Sequence, residues 1–265
     1  MSKFFSMKFI DTHAHLYSDQ FNEDRNEMLQ RAFEAKIDRI YLPSIDSSYY
    51  QSMVELEQQY PQNLKLMMGL HPCDVKPENY KEELQFVKEQ LSKRPFAAVG
   101  EIGIDLYWDT STLKIQQEAF RSQIEWAKEL GLPINIHCRD AFEETLEILE
   151  ELNDEKLYGI FHCFSGTREH AERAIACGMK LGIGGVVTFK NGKIDQFLHE
   201  IELKHIVLET DAPYLAPTPF RGKRNESAYV INVAEKLATI YQKGLDEIAE
   251  ITTQNALEIY KEYEL

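Results

Sequence analysis

The sequence predicts an α/β protein of the (β/α)8 TIM-barrel class, and three observations carry that reading. The chain has 265 residues, close to the roughly 250 that one such barrel takes. Eight short apolar runs alternate with longer amphipathic stretches, the signature of parallel βαβ units. Histidines and carboxylates gather where the apolar runs end, and in this fold those ends share one face. An open doubly wound sheet shows the same alternation. No repeat, linker or second compositional zone divides the chain, so residues 1–265 are read as a single barrel domain.

In chain order, strands are expected over Lys8–Thr12, Arg39–Pro43, Lys65–Leu70, Ala97–Glu101, Ile134–His137, Gly159–Cys163, Met179–Ile183 and His205–Thr210. Helices are expected over Arg25–Ala35, Tyr49–Tyr60, Tyr80–Ser92, Lys114–Leu130, Ala141–Leu152, Glu169–Cys177 and Ile194–Glu200, then near Glu226–Tyr241 and Leu245–Tyr260. Pro61 and the Gly131-Leu132-Pro133 turn punctuate the junctions.

The formal net charge is −15. An acidic surface argues against gripping nucleic acid through a broad basic face, but not against a local cationic site, because bound metal ions reverse the charge where it matters. The four cysteines, Cys73, Cys138, Cys163 and Cys177, form no CxxC pair and are read as reduced and buried. Met1–Lys8 carries no apolar run of signal-peptide length. Nothing approaches the ~18 apolar residues of a membrane helix. The expectation is a cytoplasmic protein with no membrane attachment and no obligate protein partner.

The chemistry sits at the strand ends. His13 and His15 close the first strand, and positions two apart share a face, so both imidazoles can meet one ion. Ile10 and Thr12 are then expected to face the helices. Strand three ends at His71, strand four at Glu101, strand five at His137, strand six carries His162, and strand eight runs into Asp211. Each alone reads more readily as a satisfied core residue or a helix cap. Together, so many imidazoles and carboxylates in one barrel mouth are costly to desolvate unless a cation offsets them.

Four histidines and two carboxylates exceed the needs of one ion. Two divalent ions use them all, with His13, His15 and Asp211 on one, His137 and His162 on the other, and Glu101 between. Imidazole-rich ligation suits Zn, Mn, Fe, Co or Ni better than Mg or Ca. Asp211 is also placed to hold a water and take its proton. Asp11 beneath His13 and Glu209 beneath Asp211 are candidates to hold the outer ring nitrogens of the histidines.

Cations recur in loops on the same face: Arg139, Arg168, Lys190, Lys193, and the cluster Arg221, Lys223 and Arg224. Such groups clamp phosphate esters. Tyr107, Trp108 and Phe189 offer stacking faces for bases.

These residues fall in Asp11-Thr12-His13-Ala14-His15-Leu16, Gly69-Leu70-His71-Pro72, Gly100-Glu101-Ile102-Gly103-Ile104-Asp105, Ile136-His137-Cys138-Arg139-Asp140-Ala141, His162-Cys163-Phe164-Ser165-Gly166, Glu209-Thr210-Asp211-Ala212-Pro213-Tyr214 and Arg221-Gly222-Lys223-Arg224-Asn225-Glu226. With them the chain resembles, nearly end to end, the TatD-type deoxyribonucleases of the metal-dependent hydrolase superfamily. Ile104 stands where leucine is usual. The resemblance implies a TIM barrel with metal ligands at His13, His15, Glu101, His137, His162 and Asp211, and places His71 near substrate phosphate. It implies a Mg-dependent nuclease with 3′–5′ trimming of single-stranded DNA or RNA; other members resemble deacylases of mischarged tRNA. The cofactor expected is therefore a pair of divalent ions among Mg, Mn, Zn, Ni and Co, and the partner a nucleic acid substrate. An ester, lactone or amide hydrolase is the alternative. Related barrels of that kind use a carbamylated lysine as bridge, where this chain has Glu101.

Overall fold

Alternation along the strands sorts the apolar side chains into two layers. In β3 (Leu64–Met68), Leu64, Leu66 and Met68 join the large cluster shared with the helices, and Met67 joins a smaller one. Ile134 and Ile136 of β5 (Ile134–Arg139), Met179, Leu181 and Ile183 of β7 (Met179–Ile183), and Ile206 and Leu208 of β8 (Ile206–Leu208) follow the same outward rule. The smaller cluster takes Ile10 from β1 (Phe9–Asp11), Tyr41 from β2 (Ile37–Leu42), Met67, Ala98 from β4 (Ala98–Asp105), Ile160 from β6 (Gly159–Phe161) and Val207. Side chains from six strands touch one another only in the interior of a barrel. Ile10 therefore faces inward, not toward the helices as expected, because β1 ends at Asp11 and the alternation counted back from His13 does not carry across that end.

The structure, a computed structural model, describes residues 7–262. The first six residues of the segment read as lacking a signal peptide lie outside the described residues. The strands form an eight-stranded sheet in the order β1 to β8, each neighbouring pair parallel. Closure comes from β1 meeting β8. Thr12 N–H donates to the Leu208 carbonyl at 3.0 Å, Asp211 N–H to that of His13 at 2.9 Å, and Ala14 bridges Ala212. The helices are α1 (Arg25–Glu34), α2 (Tyr50–Gln59), α3 (Tyr80–Lys93), α4 (Leu113–Leu130), α5 (Phe142–Glu151), α6 (Arg168–Ala176), α7 (Val230–Tyr241) and α8 (Leu245–Tyr260). Tyr260 of α8 stacks on Tyr41 with centroids 3.6 Å apart and donates to the Thr12 carbonyl at 3.3 Å. The last helix thus floors the barrel beneath its mouth.

Two expected helices come out differently. The stretch Ile194–Glu200 forms two short 3-10 turns, Lys193–Gln196 and Leu198–Glu200. So short a segment cannot sustain an α-helix alone, and Tyr241 Oη takes the Leu198 and Ile201 carbonyls at 2.7 and 2.9 Å. The helix expected from Glu226 begins at Val230, because Asn225 and Glu226 spend their side chains on the β8 loop and on Arg31. Among the described residues no helix is long and apolar enough to cross a membrane. All four cysteines are free thiols.

Candidate metal centre

The site begins with an irregularity in β4. Val99, Ile102 and Ile104 all face the helices, a spacing of three and then two. The pairing with β5 slips between Gly100 and Ile102, so Glu101 drops out of the ladder and its N–H donates to the Ser44 carbonyl at 3.1 Å. A bulge of this kind re-aims a side chain, and here it sends a carboxylate into the barrel. Further on, Gly103 sits at φ 146° where a Cβ would overlap the His137 carbonyl oxygen. Its missing side chain lets β4 and β5 approach at that histidine. Gly182 likewise leaves room for the Glu209 carboxylate.

Glu101 stands at the centre of the cluster. Its Oε2 lies 3.2 Å from His13 Nε2 and 3.4 Å from His15 Nε2. Its Oε1 lies 2.9 Å from His137 Nδ1, 3.4 Å from His71 Nε2 and 3.8 Å from His162 Nε2. Asp211 Oδ1 is 3.6 Å from His15, 3.8 Å from His13 and 3.9 Å from His162. The six expected ligands are thus gathered in one place. One oxygen of Glu101 faces His13 and His15, and the other faces His137 and His71 with His162 further off.

The rings of His13, His15, His137 and His162 each have their outward nitrogen facing an oxygen. His13 Nδ1 meets Asn135 Oδ1 at 2.8 Å. His15 Nδ1 meets Tyr17 Oη at 2.8 Å, and that hydroxyl donates to the Pro43 carbonyl at 2.6 Å, so it must accept from the ring. His137 Nε2 meets Asp105 Oδ2 at 2.8 Å. His162 Nδ1 lies 3.0 Å from Glu209 Oε1, off the line of a good hydrogen bond. In the neutral rings of His13, His15 and His137, a proton on the outer nitrogen leaves a lone pair pointing into the cluster, the arrangement that ligating histidines have. Asp105, Asn135 and Tyr17 were not read from the sequence. Asp105 and Asn135 lie at even spacing from Gly103 and His137, so strand alternation was the available signal.

His71 differs. Its Nδ1 accepts the Cys73 N–H at 3.1 Å, which puts the ring proton of the neutral form on Nε2, toward Glu101. His71 groups spatially with Glu101 and His137, yet it presents a donor where a ligand presents a lone pair.

Burial would raise the Glu101 carboxyl, but the His13, His71 and His137 rings outweigh it and hold it well below the usual range. Asp211 is likewise held low against its burial, by His15, His162 and His13. Burial would lower His137, but Asp105 and Glu101 push it up to about 9. Burial also opposes the rise in His71, which Glu101 nonetheless lifts to about 9. Burial brings His162 down to about 4 and lifts Glu209 to about 8. Protons on His71 and His137 therefore stand against the carboxylates in the protein alone.

Divalent cations fit this donor set. Glu101 Oε2 is buried without a hydrogen-bond partner. The groups His13–His15–Asp211 and His13–Glu101–His162 each bring their donor atoms within 4.8 Å of one another. These buried clusters are consistent with a binuclear metal site. Asp211 and Cys163 take φ values of 59° and 45°, left-handed backbone of the kind found at functional sites.

Asp11 requires a correction. It does not reach the His13 ring. Its Oδ1 accepts the His13 N–H at 3.3 Å and the Thr210 N–H at 2.9 Å, and its Oδ2 accepts the Thr210 hydroxyl at 2.6 Å. It clasps β1 to the end of β8 behind the site, because the strand ends at Asp11 and regular alternation does not extend to His13. Glu209 serves His162 and the Cys163 N–H (2.7 Å) and does not contact Asp211.

The cluster floors a cleft of about 800 Å³ lined by Tyr49, His71, Trp108, Arg139, Asp211 and Tyr214 among others. Of the expected substrate residues, His71 and Arg139 line it. Arg224 does not: it pairs with both Asp24 oxygens at 2.6 and 2.8 Å and donates to the Gln20 carbonyl, tying the β8 loop to α1. Arg221 lies over the Phe189 ring at 3.5 Å, and Lys223 lies near Phe220. Neither is among the cleft residues. Arg168 pairs with Glu172 and Glu200 on the surface.

The chain matches the family described as TatD related DNase over residues 10–261. It is 41% identical over 253 residues to the metal-dependent hydrolase YabD of Bacillus subtilis, covering 95% of this chain and 98% of that one. The structure of YjjV, a TatD homologue from Escherichia coli K12, superposes with a TM-score of 0.90 at 30% identity, covering 96% of this chain and 98% of that one. A TatD-family hydrolase from Entamoeba histolytica shares the fold, with a TM-score of 0.83 at 23% identity over 97% of this chain and 99% of that one.

Proposed function

This chain belongs to the TatD-related DNase family of metal-dependent hydrolases, and from that premise we propose that it is a phosphodiesterase that trims single-stranded DNA or RNA from the 3′ end. The observation that carries the reading is Glu101, a buried carboxylate with one oxygen toward His13 and His15 and the other toward His137 and His162. That is the donor arrangement of a two-ion centre, and such centres clamp both oxygens of an in-line phosphoryl displacement.

When bound, the divalent ions supply a Lewis acid for the phosphoryl oxygens and acidify a water at neutral pH. Mg, Mn, Zn, Ni and Co all suit the reaction, and the imidazoles favour the later members of that set. The protein's own groups do the rest. His13, His15, His137 and His162 hold their lone pairs inward. Asp211 is the centre's more exposed carboxylate, 13% against 2% for Glu101. Held ionised, it is placed to accept the proton of the attacking water at Oδ1 or Oδ2. His71 Nε2–H and the Arg139 guanidinium at the cleft wall are the donors available to a non-bridging phosphate oxygen.

An ester or amide hydrolase, such as an aminoacyl-tRNA deacylase or a lactonase, is the second reading, since the same centre polarises a carbonyl. A panel of labelled single-stranded DNA, single-stranded RNA, aminoacyl-tRNA and lactones, each with Mg or Mn, separates the two. Release of mononucleotides from the 3′ end is expected. Turnover confined to the lactones or aminoacyl ester would overturn the proposal.

A further inference from the structure

Beyond the metal-facing residues, the cleft has an aromatic rim that the chemistry does not use. Tyr107 and Trp108 follow β4 and are 52% and 71% exposed. The rings meet edge to face, with centroids 4.8 Å apart and planes at 90°. The Arg139 guanidinium covers Tyr107 at 3.6 Å and lies 5.6 Å from Trp108. A tryptophan so exposed leaves a large apolar face in water, and on a cleft wall that marks a binding surface. Trp108 and Arg139 line the same cleft as His137 and Asp211.

The rim is also held in register with the reactive centre. Asp105 Oδ1 accepts the N–H groups of Tyr107 and Trp108 at 2.9 and 3.3 Å, while its Oδ2 faces His137 Nε2 at 2.8 Å. Leu106 N–H donates to the Arg139 carbonyl at 2.9 Å, pinning the loop to the end of β5. One carboxylate therefore fixes both a metal-facing histidine and the backbone under the aromatic pair.

Building on the phosphodiesterase reading, we propose that Trp108, braced by Tyr107 and Arg139, is the stacking platform for the nucleobase next to the scissile phosphodiester. Asp105 sets its distance from the centre. A flat aromatic face accepts any base, and its attraction does not depend on net charge. That suits a chain of net charge −15, whose unpaired cations do not reach the cleft as a track. A stacked base must be free of its partner strand, so the platform selects single-stranded ends.

Replacing Trp126, the other of the two tryptophans, with phenylalanine leaves Trp108 as the sole indole emitter. With Mn present, a single-stranded oligodeoxynucleotide whose last two linkages are cleavage-slowed phosphorothioates is titrated against this protein. Its twin carries abasic tetrahydrofuran residues at the last two positions. Trp108 emission should be quenched by the first and not by the second. Trp108→Ala should weaken binding and raise KM for the intact strand by roughly 5- to 150-fold, leave the abasic strand within about twofold, and be largely rescued by Trp108→Phe. Equal effects on both strands, or none, would overturn the platform, as would a Trp108→Ala protein that loses only self-association. A wild-type protein that cuts single strands while Trp108→Ala changes nothing sinks this inference alone. One that neither binds nor cuts them sinks the phosphodiesterase reading as well.

Discussion

At the residue scale, the proposed division between groups that hold a cation and groups that hold substrate rests on which ring nitrogen carries the proton. His13 and His15 present lone pairs because Asn135 and Tyr17 hold their outer nitrogens, whereas His71 presents an N–H because Cys73 donates to its Nδ1. His71→Ala should therefore raise KM for a phosphodiester about tenfold with metal content unchanged, read by kinetics beside elemental analysis. Asp105→Asn should instead lower metal affinity by about 10- to 100-fold, read by titration with a competing chelator. The protons supply a pH test. In the chelator-treated protein, against burial, Glu101 places His71 at about 9, and Asp105 with Glu101 places His137 at about 9, both above the unfolded 6.5. Their stabilisation is complete below pH 6.5 and lost as the pH rises through about 9. The melting temperature of metal-free protein should fall across that window. The apparent metal affinity should rise across it, because the cation no longer competes with protons. The clustered histidines and carboxylates were readable in the sequence because they end apolar runs. Of their partners, Asp105 and Asn135 carried only the signal of strand alternation, and Tyr17 looks like any polar residue until the barrel closes and sets it behind a ring.

At the element scale, the most consequential feature is the β4 bulge. Glu101 was readable as a strand-end acid, but the strand runs on to Asp105. Only pairing with β5 reveals that the slip after Gly100 turns Glu101 inward. The reading of Asp11 failed for the converse reason: it extended regular alternation past the end of β1. Gly103→Ala tests the close approach of β4 to β5. The added Cβ meets the His137 carbonyl at a φ of 146°, so a loss of at least about 2 kcal/mol in urea unfolding is expected. Activity should fall with it, since His137 shifts. The helices were recovered to within a few residues, because amphipathic periodicity over ten or more residues is a strong signal. The Ile194–Glu200 stretch was too short for periodicity to separate an α-helix from successive 3-10 turns.

At the scale of the whole molecule, eight strand ends converge on one mouth, and that convergence makes scattered histidines a site. The parallel order and the closure of β1 on β8 followed from alternation and length. The tether between the β8 loop and α1 did not, since Arg224 and Asp24 are 200 residues apart. Arg224 hydrogen-bonded to Asp24 holds that carboxyl at about 2. The tether is intact above pH 3.8 and weakens as the pH falls through about 2, and Arg224→Ala should raise the acid-unfolding midpoint while sparing KM. The net charge of −15 bears on the proposed substrate as well. With few cations in the cleft, the affinity for single-stranded DNA should depend weakly on salt, with a log–log slope of about −0.7 per phosphate neutralised and no more than two or three such contacts.

We propose that the Glu101-centred cluster holds divalent ions and that the protein with those ions bound hydrolyses phosphodiesters. The most direct test is the rate of nucleotide release from 3′-labelled single-stranded DNA by chelator-stripped protein as Mn is added back, beside Glu101→Gln handled identically. The expected result is no release without metal, recovery that saturates near two Mn per chain, and a loss of at least about 100-fold in Glu101→Gln at any Mn concentration. Release that survives chelation, or that is equal in Glu101→Gln, would contradict it.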